Sequence, residues 1–150
     1  MAGAIKNVLA IAAGIAEGMQ LGLNARAALI CRGLAEMTRL GVRMKGQPET
    51  FSGMAGLGDL VLTGTGSLSR NHDLGIQIGQ GIIPGDSFKN KTTVTEGVAT
   101  SIPLQKLSRL HQVEMPICDA MYKNFHGELY PKKTLIQLFE REIPGSEIRE

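Results

Sequence analysis

Ser69, Arg70 and Asn71 are consecutive residues whose side chains together suit a phosphate group. Ser69 is expected to cap the start of a helix, where free backbone N–H groups attract anions. The guanidinium of Arg70 is a planar set of donors that matches phosphate, and Asn71 adds a neutral amide. A capped surface helix with a solvated arginine has the same composition, so both interpretations stay open.

Lys6 is a second candidate, because it is the only charged residue before Glu17 in an otherwise apolar segment. A lysine near a helix N-terminus opposes the helix dipole and is partly desolvated. Both effects disfavour the ammonium form, which suits a proton acceptor or donor. Asn7 beside it could orient a carbonyl or hydroxyl group. Alternatively, Lys6 extends to water.

Asp59 follows a glycine-rich stretch at 53–58, where the backbone could approach a ligand closely. Helix capping is the commoner explanation for such an aspartate. The chain has no G-x-x-x-x-G-K-[ST] motif, and residues 64–69 have serine at the third glycine of a dinucleotide fingerprint. The sequence therefore predicts a phosphate site without a nucleotide-binding domain.

The composition excludes several other classes of protein. The chain has 150 residues, a net charge of +2, two cysteines and three histidines. A net charge this small provides too little positive surface to indicate nucleic-acid binding, and no apolar run is long enough to span a membrane. The cysteine count excludes a disulfide framework, and the scattered histidines give no metal site. We expect a reducing, cytoplasmic compartment.

Apolar residues recur at helical spacing, and no segment shows the alternation typical of strands. The predicted fold class is all-α, with six to eight helices in a single domain over 1–150 and a frayed tail over 144–150. The first helix is apolar nearly all round, which predicts central burial. Asn24 is expected to cap the second helix, with Glu36 and Arg39 on or near its solvent side. The predicted helices cover about 5–19, 25–42, 96–112, 117–126 and 132–142, and another begins after Ser69.

Several motifs in order resemble bacterial NAD(P)-dependent glycerol-3-phosphate dehydrogenase. The resemblance covers about Gly3 to Glu142 and is confined to the family's C-terminal substrate domain. It implies the multi-helix fold of the 6-phosphogluconate dehydrogenase C-terminal domain. The matching segments are 3–8, 12–15, 38–41, 55–60, Thr63, 69–71 and 96–98.

The resemblance also implies roles for individual residues. Lys6 matches the proton acceptor in alcohol oxidation, and it would also contact substrate. The remaining implied catalytic residues are Asn7, Asp59 and Thr63. The remaining implied substrate-binding residues are Asp59, Ser69, Arg70 and Asn71. The implied cofactor-binding residues are Arg70, Val94 and Glu96, with no metal.

The implied reaction interconverts dihydroxyacetone phosphate and sn-glycerol 3-phosphate with NAD or NADP, supplying glycerophospholipid biosynthesis. The family's N-terminal Rossmann domain, which binds most of the cofactor, has no counterpart in these 150 residues. We therefore expect the chain alone to be essentially inactive. It departs from the pattern at Gly64, where cysteine is frequent, and at His72, where another basic residue is common.

The sequence leaves three alternative functions open. A non-enzymatic phosphate-binding module would keep Ser69, Arg70 and Asn71 without needing Lys6. A helical dimerisation module, or a homodimer of the enzyme, would use apolar surface. A related 2-hydroxy-acid dehydrogenase would give no reason for the phosphate triplet.

Overall fold

A computed structural model describes residues 2–58, 61, 70–81 and 92–125. Every regular element in these ranges is helical, which confirms the all-α prediction there. The elements are α1 (Ala2–Gly18), α2 (Leu23–Arg43), α3 (Pro48–Ser52), a π-helical turn (Met54–Gly58), α4 (Arg70–Gly79), α5 (Thr92–Leu110) and α6 (Pro116–Phe125). The predicted helix at 132–142 and the tail at 144–150 lie outside the described residues.

Two helix starts differ from the sequence predictions. Helix α2 begins at Leu23 after Gly22, whose φ of 90° is a conformation that glycine adopts without steric cost. Asn24 therefore lies inside the helix, and its predicted capping role is wrong. Helix α5 begins at Thr92, ahead of the predicted start at Glu96.

Helix α1 forms the centre of the fold, as its composition predicts. Its apolar residues are buried on every side and join the core with residues from the other helices. Helices α2, α4, α5 and α6 all pack against it. Within the part of the chain that the structure describes, no helix has both the length and the apolar character needed to cross a membrane.

Helices α1 and α4 approach each other through glycines. A Cβ atom on Gly14 would overlap the carbonyl oxygen of His72, and one on Gly75 would overlap that of Ile11. Gly18 and Gly79 make the same close approach one turn later. Because the contacts advance in the same direction along both helices, the two helices run parallel. Side chains at these four positions would force the helices apart.

Glu36 is buried, contrary to the prediction that it lies on or near the solvent side of α2. Its side chain is 1% exposed, and its carboxylate accepts the backbone N–H groups of Ile117 (2.6 Å) and Cys118 (3.2 Å). Arg39 donates to the carbonyl oxygen of Glu114 at 2.9 Å. Helix periodicity placed Glu36 among charges, but the start of α6 needs an acceptor for its unpaired N–H groups. One turn of α2 therefore anchors α6.

The close approach of α1 and α4 at Gly14, Gly18, Gly75 and Gly79, called the glycine crossing below, yields a stability prediction. Gly75→Ala introduces a methyl group between Gly14 and the Ile11 carbonyl, so we expect a loss of at least about 1–3 kcal/mol from overpacking. Gly3→Ala is the matched control, since a Cβ there meets nothing within 4 Å. That substitution should be neutral or stabilise by up to about 1 kcal/mol. Urea unfolding measures both, and equal stabilities would contradict the crossing.

Glu36 yields a pH prediction. Burial raises its pKa from 4.5 to about 7, against the opposing effect of the two backbone N–H donors. Between these values the folded protein keeps a proton that the unfolded chain releases. Its unfolding free energy should therefore fall as pH rises through this window, by up to about 3 kcal/mol.

Glu36→Gln removes this titration, and we expect its stability to depend less steeply on pH. Glu49→Gln, which removes an exposed carboxyl from α3, is the control. Thermal unfolding from pH 4.5 to pH 7.5 compares the three proteins. Parallel curves for wild type and Glu36→Gln would refute the prediction.

Candidate active site

The start of α1 carries Lys6 and Asn7, both half-buried. The start of α4 carries Arg70, which is exposed, and Asn71, which is half-buried. Arg70 and Asn71 lie in the first turn of α4, where backbone N–H groups lack intrahelical partners, and Lys6 and Asn7 lie in the second turn of α1. Both pairs are near the positive end of a helix dipole. Side chains here can reach a ligand and still be held by the helix.

The glycine crossing brings these two helix starts to the same end of the pair. Gly75 lies against Ile11 and Gly14. Asn71 lies one turn before Gly75 on the same helix face, since residues four apart share a face. The parallel register therefore places Asn71 beside the turn of α1 formed by residues 7–10, at the end of the helix pair that also carries Lys6.

Electrostatics at this end of the helix pair favours an anion. Lys6 and Arg70 are both cationic side chains, and the positive ends of two parallel helix dipoles add to their potential. The Oδ1 atom of Asn71 is buried and has no hydrogen-bond partner in the described part of the chain. A ligand that supplies a hydroxyl or ammonium proton would satisfy it.

The remaining predicted site residues cannot be placed around this centre. Asp59, Thr63 and Ser69 lie outside the described residues. Val94 and Glu96 lie in the first two turns of α5, of which the helical backbone alone is described. Their roles therefore stay predictions.

Sequence reasoning missed a polar contact that joins α1 to α4. The Nε2 atom of His72 lies 2.7 Å from Oε2 of Glu17, and the imidazole is 2% exposed. The same carboxylate oxygen lies 3.5 Å from Nη2 of Arg26. One signal could have found it: Glu17 is the first charge after ten uncharged residues, and His72 lies three positions before Gly75.

Comparison with known proteins points to one family. The model of the C-terminus of NAD-dependent glycerol-3-phosphate dehydrogenase matches residues 1–136. A glycerol-3-phosphate dehydrogenase [NAD(P)+] of Geobacter sulfurreducens is 50% identical over 141 residues, covering 94% of this chain and 42% of that protein.

Solved structures agree. The crystal structure of glycerol-3-phosphate dehydrogenase from Coxiella burnetii matches with a TM-score of 0.86 and 42% identity, over 93% of this chain and 43% of that one. The Saccharomyces cerevisiae enzyme matches with a TM-score of 0.76 and 25% identity, over 94% and 41% respectively. The chain thus spans less than half the length of these relatives. With its helical fold and matching motifs, the chain belongs to the NAD-dependent glycerol-3-phosphate dehydrogenase family and corresponds to its C-terminal domain.

Proposed function

We propose that this chain is the substrate domain of an oxidoreductase that interconverts sn-glycerol 3-phosphate and dihydroxyacetone phosphate. The observation that carries the proposal is the parallel glycine crossing, which gathers Lys6, Asn7, Arg70 and Asn71 at one end of α1 and α4. Family membership supports it. We propose that residues 1–150 act as one helical domain in this role.

Lys6 acts on the reacting oxygen. In alcohol oxidation a neutral Lys6 accepts the hydroxyl proton while the carbon loses a hydride, and the C–O bond becomes a carbonyl. In the reverse direction the Lys6 ammonium stabilises negative charge on the oxygen and donates the proton back. Asn7, Asp59 and Thr63 are proposed to orient Lys6 and the substrate hydroxyl.

Arg70 and Asn71 hold the phosphate, which is remote from the reacting carbon. Ser69 and Asp59 are proposed to complete the contacts to substrate. Interactions with a non-reacting group fix the position of the reacting carbon beside Lys6, so binding energy is used for orientation. This division suits the arrangement, because Asn71 and Lys6 lie on adjacent helix starts.

The residues present fit one side of a nicotinamide cofactor. Arg70 is exposed at a positive helix end, which suits an anionic dinucleotide. Val94 and Glu96 are proposed to be further contacts from α5. Bound NAD or NADP would supply the hydride acceptor or donor, and most of its binding surface would belong to the part of the relatives that this chain does not cover.

The proposed cellular setting follows from the product and from the cysteines. sn-Glycerol 3-phosphate is the backbone of membrane glycerophospholipids, so we propose a role in their biosynthesis. Cys31 and Cys118 are both free thiols, which suits the reducing cytoplasm.

A dimerisation surface is the second candidate function, and one observation favours it. Helix α2 exposes Leu23 (77%), Ala27 and Cys31 at four-residue spacing, which is an apolar stripe. A homodimer through this stripe is compatible with the enzyme, and it makes no use of Lys6.

The chain alone should be essentially inactive. Dihydroxyacetone phosphate and NADH incubated with the purified 150 residues should give no steady loss of absorbance at the NADH band, since most cofactor contacts are absent. Steady oxidation of NADH would overturn this prediction.

Joining the chain to the uncovered part of the Geobacter sulfurreducens relative should restore activity. In that joined protein Lys6→Met should lower kcat by about 10²–10⁴-fold, the usual contribution of a positioned proton-transfer group. Lys123→Met, at an exposed position of α6, is the matched control and should retain activity. An unaffected Lys6→Met variant would favour a phosphate-binding or dimerisation module instead.

A further inference from the structure

The contact between Glu17 and His72 has no role in the proposed chemistry, yet it is the most buried polar link between α1 and α4 among the contacts described above. The imidazole is 2% exposed, and its Nε2 atom lies 2.7 Å from the Glu17 carboxylate. At this distance the imidazole and the carboxylate are in direct polar contact. The guanidinium of Arg26 lies 3.5 Å from the same oxygen.

His72 does not belong to the reacting centre. Glu17 lies 11 positions after Lys6 on α1, which is roughly 16 Å along the helix axis. The imidazole that contacts Glu17 therefore points away from Lys6, towards the far end of α1. A role for His72 must act through the helix on which it lies.

The glycine crossing explains why such a link is needed. Glycine faces let two backbones come very close, as at Gly14 and Gly75, but they provide no side chain that interlocks. A side chain fixed across the crossing sets how far α4 is rotated about its own axis. His72 is placed for this, because its own carbonyl oxygen lies against Gly14.

We propose that His72, held by Glu17, is a positioning residue that sets the rotation of the first turn of α4 and so aims Arg70 and Asn71 at the phosphate. This inference rests on the proposed function of these two residues. Residues 71 and 72 are neighbours in a helix, so the direction of Asn71 is fixed once His72 is held. The Nδ2 group of Asn71 is the donor that this rotation directs at a phosphate oxygen, since the amide oxygen can only accept.

The test measures binding of sn-glycerol 3-phosphate to the 150-residue chain by NMR titration, together with the thermal unfolding midpoint of each variant. Glu17→Met and His72→Leu each remove the contact and should each weaken binding about tenfold, the change expected when one coupled polar contact is lost. The double variant should bind no more weakly than either single variant. His72→Arg keeps a donor for Glu17 and should restore binding to within about threefold of wild type, a coupling smaller than a contact loss.

Asn124→Leu is the matched control, because Asn124 is a buried polar residue on α6. It should leave the dissociation constant unchanged, whatever its effect on the unfolding midpoint. Glu17→Met keeps the experiment decisive if His72→Leu does not fold, since the Glu17 side chain is 40% exposed and methionine is of similar length but has no oxygen to accept a hydrogen bond.

The outcomes distinguish a failure of the positioning role from a failure of the proposed phosphate site. Binding by wild type with an unchanged dissociation constant in Glu17→Met and His72→Leu would overturn the positioning role, even if their midpoints fall. An absence of binding by wild type would overturn the proposed phosphate site and this inference with it.

Discussion

Helices α1 and α4 meet backbone to backbone, and the rest of the candidate site depends on that approach. Glycine at positions 14, 18, 75 and 79 removes side chains from the points of closest approach. The distance between the helices is then set by van der Waals contact of main-chain atoms, which leaves little tolerance. Side chains at the start of each helix inherit this fixed spacing, which holds Lys6 and Asn71 at one end of the helix pair although they are distant in sequence.

Helix α2 contributes a different kind of constraint. The buried Glu36 carboxylate and the Arg39 guanidinium are polar groups from one turn, and both bind backbone of the segment that starts α6. Burial of a carboxylate is costly, but here it satisfies two N–H groups that would otherwise be unpaired. The result is specificity of docking for a helix whose apolar face alone could slide along its neighbours.

Much of this architecture could be predicted from the sequence, and the exceptions have physical causes. The apolar composition of α1 predicted its central burial, because no face of it could be left in water. The burial of Glu36 could not be predicted from helix periodicity, because tertiary packing brings its partners Ile117 and Cys118 to it. Asn24 has good capping chemistry, but the positive φ of Gly22 starts the helix earlier. The residue types predicted Lys6 and Arg70 as candidate site residues. Their position at the same end of the helix pair became known only from the parallel register of α1 and α4.

The parallel direction of α1 and α4 has an electrostatic consequence of its own. Two side-by-side dipoles with the same orientation repel each other, and here their positive ends coincide with Lys6 and Arg70. An anion seated at that end would relieve the repulsion, so occupancy and folding are linked equilibria. A ligand present at a hundred times its dissociation constant adds about 2.7 kcal/mol to the stability of the state it binds. Under the proposed function, the melting temperature of this domain would rise when sn-glycerol 3-phosphate is bound.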